Sequence, residues 1–192
     1  MEAFVEFIDE KDIVDLFDQK NITLGQEEKD LVHLNIDSKK YPIVFFLKQT
    51  ESTEKQLDNV FLLNEEEIQR AVDSILHALH QSQTILKPTG RWRSVFDIVA
   101  FSLADDEEWQ RFDAAATVEL NTRDPLLCSL GDMSVISRLL SALIKDADQD
   151  DQGLYLIPTG APVSIEFIPG SGVKIYIANE LFADQIRVAI QG

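Results

Sequence analysis

The sequence predicts an α+β protein built from two divergent tandem copies of a mainly antiparallel β-sheet with a packed helix, the copies related by a pseudo-twofold. Three observations carry this expectation. Two segments place apolar residues at the 3.6-residue period of a helix, several others alternate with the period of two that marks a strand, and short stretches recur in the same order along the chain.

Taken in order, Phe4 to Glu10 reads as a strand, and Ile13, Val14 and Phe17 come after it at helical spacing. Leu31 to Ile36 and Ile43 to Leu47 flank Asp37-Ser38-Lys39-Lys40-Tyr41-Pro42, which predicts a hairpin. Asn64 followed by Glu67 is a capping box, because each can satisfy an amide at the other's position, and Ile68, Val72, Ile75, Leu76 and Leu79 then share one helical face. A second helix starts near Asp132 and buries Val135, Ile136, Leu139, Leu140 and Leu143. Val163, Ile165 and Phe167 alternate with polar residues up to Pro169-Gly170-Ser171-Gly172, which turns the chain into Val173, Ile175 and Ile177 as a second hairpin.

The recurrences set the domain organisation. Val32-His33-Leu34-Asn35 matches Val118-Glu119-Leu120-Asn121, Leu76-His77-Ala78-Leu79 matches Leu140-Ser141-Ala142-Leu143, and Pro88-Thr89-Gly90 matches Pro158-Thr159-Gly160. Ser94-Val95 then answers Ser164-Ile165, and Ala104-Asp105-Asp106 answers Ala178-Asn179-Glu180. The expected division is an N-terminal strand and helix extension over 1–27, copy one over 28–112 and copy two over 113–192, joined in one compact unit. The Pro-Thr-Gly corner reads as structural, since proline ends a strand and glycine permits positive φ.

Charge narrows the function classes. The chain carries 34 acidic against 17 basic side chains, a net −17, spread as 18 acids and 9 bases through residue 90 and 16 and 8 after it. Such a field repels phosphate backbones and anionic lipid, so neither a nucleic-acid nor a membrane partner is expected, whereas a basic protein is attracted. Acidity that only keeps the protein soluble stands beside that reading. The single cysteine, Cys128, sits among apolar residues and reads as a buried hydrophobe. An acidic N-terminus without an apolar run reads against a signal peptide, so a cytoplasmic location is expected.

Four residues form the candidate binding site. Arg91-Trp92-Arg93 comes directly after the first Pro-Thr-Gly and places an aromatic between two bases, suited to a carboxylate, a phosphate or a protein anchor. Alternation on an edge strand explains it equally. Trp109 is the other candidate anchor. Asp73, His77 and His80 share a helix face, and Asp146, Asp148 and Asp150 have the spacing of the first calcium-loop ligands, but Asp151 and Ile157 stand where that loop needs Gly and Glu. Neither arrangement reads as a metal site. No cofactor motif and no catalytic set is read, which leans against an enzyme. The expected function is a non-catalytic interaction protein of inhibitor, immunity, chaperone or adaptor type that binds a basic protein. A homo-oligomer is compatible with it. The alternative is a small-ligand binder or enzyme with a cleft between the copies.

Overall fold

The computed structural model describes residues 5–50, 58–79, 83–116 and 120–191. In chain order these form β1 (Val5–Phe7), α1 (Glu10–Gln19), β2 (Ile22–Leu24), β3 (Leu34–Ile36), β4 (Ile43–Gln49), β5 (Val60–Leu63), α2 (Glu65–Ala78) and β6 (Thr84–Pro88). Next come α3 (Trp92–Val99), α4 (Glu107–Ala116), β7 (Leu126–Cys128), α5 (Met133–Asp146), β8 (Leu154–Pro158), β9 (Val163–Ile168), β10 (Gly172–Ile177) and α6 (Glu180–Gln191). The fold is mixed α+β, and no described helix is long and apolar enough to cross a membrane.

Eight described strands make one sheet in the order β1-β7-β6-β8-β9-β10-β4-β5, with β2 and β3 a separate pair. Only β4 and β5 run parallel; the other neighbours are antiparallel. Strands from the first half of the chain therefore flank β8, β9 and β10 on both sides. The hairpin expected at 163–177 forms, with Val163 opposite Ile177 and Phe167 opposite Val173.

The hairpin expected between 31–36 and 43–47 does not form. β3 pairs with β2, and β4 crosses to the main sheet between β10 and β5. The six-residue connection explains the difference. The amides of Lys40 and Tyr41 donate to the Asp37 carbonyl and that of Lys39 to its carboxylate, which redirects the chain instead of folding it back in register. The long apolar alternation of β4 is then served by the main core, where Phe45 and Leu47 are fully buried.

Alternation along the strands sends side chains to opposite faces, and the two faces build two cores. Phe45, Leu86, Leu156, Ile165 and Ile175 join residues of α2, α3, α4, α5 and α6 in the larger one. Ile85, Tyr155 and Ile157 point the other way and meet Ile13 and Phe17 of α1 with Ile22 and Leu34 of the β2–β3 pair. The amphipathic α1 anticipated from Ile13 and Phe17 is thus a cover for the second face, while Val14 stays half exposed.

The helix starts obey the caps. Asn64 and Glu67 make the reciprocal bonds of a capping box at α2, at 2.9 and 3.2 Å. Asp106 accepts from the Trp109 amide at α4, and Asn179 from the Phe182 amide at α6. Both caps bond three residues ahead, although the sequence match aligns Asn179 with Asp105.

The two Pro-Thr-Gly corners share some features and not others. β6 and β8 pair antiparallel with Leu86 opposite Leu156, the Thr89 amide donates to Gly153 O, and the Thr159 amide donates to Gln83 O. Past the corners the paths part, because Arg91 leads into α3 while Ala161 leads into β9. Ser94-Val95 and Ser164-Ile165 therefore lie on unlike elements. Positive φ among glycines belongs to Gly170 and Gly172, not to the corner glycines. Gly90 is required for space instead: a Cβ there would lie 2.8 Å from the Asp151 carbonyl oxygen.

Candidate functional site

The segment Arg91-Trp92-Arg93 opens α3 and does not lie on an edge strand. Trp92, Val95, Phe96 and Val99 all face the core, the spacing of a helix, so tertiary burial selects the helical period. Residues 120–124 strap across this helix start. The Trp92 amide donates to Thr122 O at 3.1 Å and the Arg93 amide to Leu120 O at 2.8 Å, which satisfies donors that a helix leaves orphaned. The indole Nε1 of Trp92 donates to Asp124 O at 2.7 Å.

Both tryptophans lie inside the fold. Trp92 is 0% and Trp109 4% exposed, and they join Phe96 and Phe112 in one aromatic cluster with ring centroids 5.2–6.3 Å apart. Neither indole presents a surface to a partner. Large aromatics are the heaviest contributors to a core, and an acidic chain with two tryptophans places both there. Arg91 and Arg93 remain outside. Arg91 Nη1 donates to Asn121 O at 2.7 Å, and Arg93 Nε donates to Asn121 Oδ1 at 3.1 Å.

Beside this corner is a cavity of about 340 Å³, walled by Ile13, Leu24 and Val32 on one side and by Lys87, Arg91 and Arg123 on another. Lys87 is on β6, on the face shared with Ile85 and Tyr155, and only 4% of it is exposed. Its ammonium donates to Pro88 O at 2.9 Å. Arg123 reaches Glu27 at 3.3 Å and also bonds Asp30, which stands 3.6 Å from Arg91. Lys29 and Asp30 both have left-handed φ, 54° and 63°, between the mutually bonded Glu28 and Leu31. That is the backbone sense of a primed two-residue turn, in which Asn or Gly is usual. The turn carries the Asp30 carboxylate to the arginines.

The other sequence candidates are dispersed. Asp151 accepts from Ser94 Oγ, Asp146 from Ser102 Oγ and Asp148 from Gln149, so the aspartates of that loop are turned to separate partners. Asp73 accepts from Ser137 Oγ of α5, and His80 lies outside the described residues. Among the described residues no group of three His, Cys, Asp or Glu is placed to hold a metal ion. Cys128 is fully buried, and burial, with Asp132 nearby, pushes its thiol well above the ordinary range. The Tyr155 and Tyr176 hydroxyls are raised first by burial and then by Glu166.

Sequence reasoning found Arg91 but not Lys87 or Arg123. Lys87 is a charged residue at the end of a short apolar strand and looks solvent-facing, whereas the face it shares with Ile85 and Tyr155 is buried in the structure. A weak signal for Arg123 was available in Asn121-Thr122-Arg123-Asp124-Pro125, a polar loop just before an apolar strand. No protein-family model, no curated protein and no solved structure matches this chain.

Proposed function

We propose that the chain is a non-catalytic interaction protein whose acidic surface receives a basic protein. The observation that carries this reading is Phe101. It is 94% exposed at the turn between α3 and α4, and no described large apolar side chain is more exposed. Asp97 lies one helical turn before it and Asp105 four residues after it, both exposed, and Ser102 beside it bonds Asp146. An aromatic ring set among carboxylates suits a lysine- or arginine-bearing surface, because the ring face attracts the cation and the acids steer it in. The anchor role moves from the tryptophans to this phenylalanine.

The test is immobilised protein exposed to extract of the source cell at low and high salt, followed by binding kinetics on the retained protein. The on-rate falls as ionic strength passes about 0.15 M, where the Debye length is about 8 Å, and Phe101→Ala weakens affinity by about 30-fold. Leu181→Ala on α6, another exposed apolar position at 74%, serves as the control and leaves affinity unchanged. Retention of no protein, a salt-insensitive on-rate, or equal loss in both variants overturns the reading.

The tandem-copy reading is narrowed to a helix–strand unit, α2–β6 and α5–β8. The matched Leu-x-Ala-Leu and Pro-Thr-Gly fall on it, and the crossed bonds from Thr89 and Thr159 support it. An experimental structure in which 69–79 and 84–88 do not superpose together on 133–143 and 154–158 removes it.

A further inference from the structure

We propose that a second copy of this chain docks on the open end of the main sheet, where β5 and α6 lie together, and that one twofold axis joins the two β5 edges and the two α6 faces. The inference is independent of the docking of a basic protein at Phe101.

β5 is the last strand of the sheet, so its outer edge meets no described strand. The carbonyls of Asn59 and Leu63 accept from the amides of Phe46 and Thr50, and alternation therefore turns the amides and carbonyls of Val60 and Leu62 outward. Val60-Phe61-Leu62-Leu63 carries no charge, proline or glycine, the usual guards of an open edge. An antiparallel copy centred on Phe61 sets Val60 opposite the second copy's Leu62 and satisfies all of these outward groups.

The helix beside that edge repeats the symmetry. α6 buries Ala183 and Ile186, has α2 as its helix neighbour, and carries Arg187 over the Phe45 ring at 5.0 Å. Leu181 and Val188, two turns apart, face away from these contacts and are 74% and 70% exposed. Antiparallel pairing of two such helices sets Leu181 on the second copy's Val188, about an axis between Asp184 and Gln185. α6 returns along β10, which opposes β4, and so runs with β5; Ile190 shares a groove with Leu63. Phe61 lies about 7 Å back from Leu63, a rise of about four to five helix residues, which brings the strand axis to about residue 185 of α6. One axis therefore serves both elements.

Charge selects the second copy as the occupant. In a chain of net −17 this end is close to neutral, because β5, Leu181, Gln185 and Val188 carry no charge and Arg187 stands 2.6 Å from Asp184 and 4.0 Å from Glu180. A basic partner finds little to pair with here, whereas two acidic copies meet with the fewest opposed carboxylates. The edge spans about 18 Å along α6 and about 20 Å from helix to sheet, so with side-chain relief the pair buries close to the roughly 1,200 Å² at which stable interfaces begin. The dimer is accordingly a weak one.

Sedimentation equilibrium of the full chain at low and high salt tests this. A Kd of about 10 µM is expected, tightening about threefold or more between about 0.05 and 0.5 M salt as the repulsion between two net −17 copies is screened. Salt acts in the opposite sense on the docking at Phe101, so the two readings fail separately. Leu181→Asp and Val188→Lys, both at exposed positions, each weaken self-association about 30-fold or more. Mixing the two variants restores a heterodimer, because the introduced carboxylate of one faces the introduced ammonium of the other. Amide exchange at Val60 and Leu62 slows about tenfold or more in the dimer. A monomer up to about 0.5 mM at both salts overturns the proposal. So does a dimer indifferent to both substitutions, a mixture that associates no better than either variant alone, or unchanged exchange at Val60 and Leu62.

Discussion

The two Pro-Thr-Gly corners begin alike and end differently. Each closes a central strand, each threonine amide bonds the residue that precedes the opposing strand, and each proline occupies the last strand position. After the first, Trp92, Val95, Phe96 and Val99 recur at helical spacing and the chain becomes α3. After the second, Val163, Ile165 and Phe167 alternate and it becomes β9. A shared corner therefore leaves the next element open, and the apolar period of the residues beyond it decides between helix and strand. The same divergence places an arginine beside the cavity of about 340 Å³ at the first corner. The helical path turns Arg91 back toward the 121–124 strap, whereas Ala161 and Pro162 at the second corner carry no charge.

The largest expected break in this comparison is at the residue two past each glycine. Trp92→Ala removes a fully buried ring and its bond to Asp124 O, so it costs about 3–5 kcal/mol and loosens the strap, as read by denaturant unfolding. Pro162→Ala at the partly exposed counterpart stays within about 1 kcal/mol. Equal losses at both positions would mean that the corners are energetically equivalent.

A smaller effect separates the glycines themselves. Gly90→Ala drives a Cβ against the Asp151 carbonyl and costs about 1–3 kcal/mol, since backbone on both sides has little room to give. Gly160 is exposed and outside the left-handed region, so Gly160→Ala stays within about 0.5 kcal/mol. Thermal unfolding of the two variants side by side reads the difference, and a reversed order refutes it.

The smallest effect distinguishes the caps of the helices that close each half. Burial opposes ionisation of Asp106, but the Trp109 amide and the Arg138 guanidinium outweigh it and hold the carboxyl below its ordinary value. A depressed carboxyl stabilises the fold fully above its unfolded pKa of about 4 and loses that contribution as pH falls through the lower folded value. Asp106→Asn therefore costs about 1 kcal/mol at pH 7, and the gap to wild type closes below about pH 4. Asn179→Ala, at the uncharged cap, costs a similar ~1 kcal/mol with no such pH dependence. Urea denaturation between pH 3 and 7 tests both, and a pH-independent Asp106→Asn loss contradicts the assignment.

How much was legible depends on the range of each interaction. The α2 capping box, the α5 stripe, the 163–177 hairpin and the burial of Cys128 involve residues a few positions apart, and all stand in the structure. A hairpin at 31–47 is suggested because both strands alternate correctly, yet their partners, β2 and β10, lie elsewhere in the chain. Arg91-Trp92-Arg93 reads as alternation because three residues are too few to tell a period of two from one of 3.6.

By itself the sequence determined the α+β class, the helices with strong caps and periods, and the acidity of the chain, because these depend on local spacing and on a sum over residues. Only the tertiary structure decided that β4 and β5 lie beyond β10, that both tryptophans are core, that Phe101 is exposed, and that Lys87, Arg91 and Arg123 face one cavity. Each of those is set by which distant segments bury one another's apolar faces, and a period along the chain holds no record of its partner across the sheet.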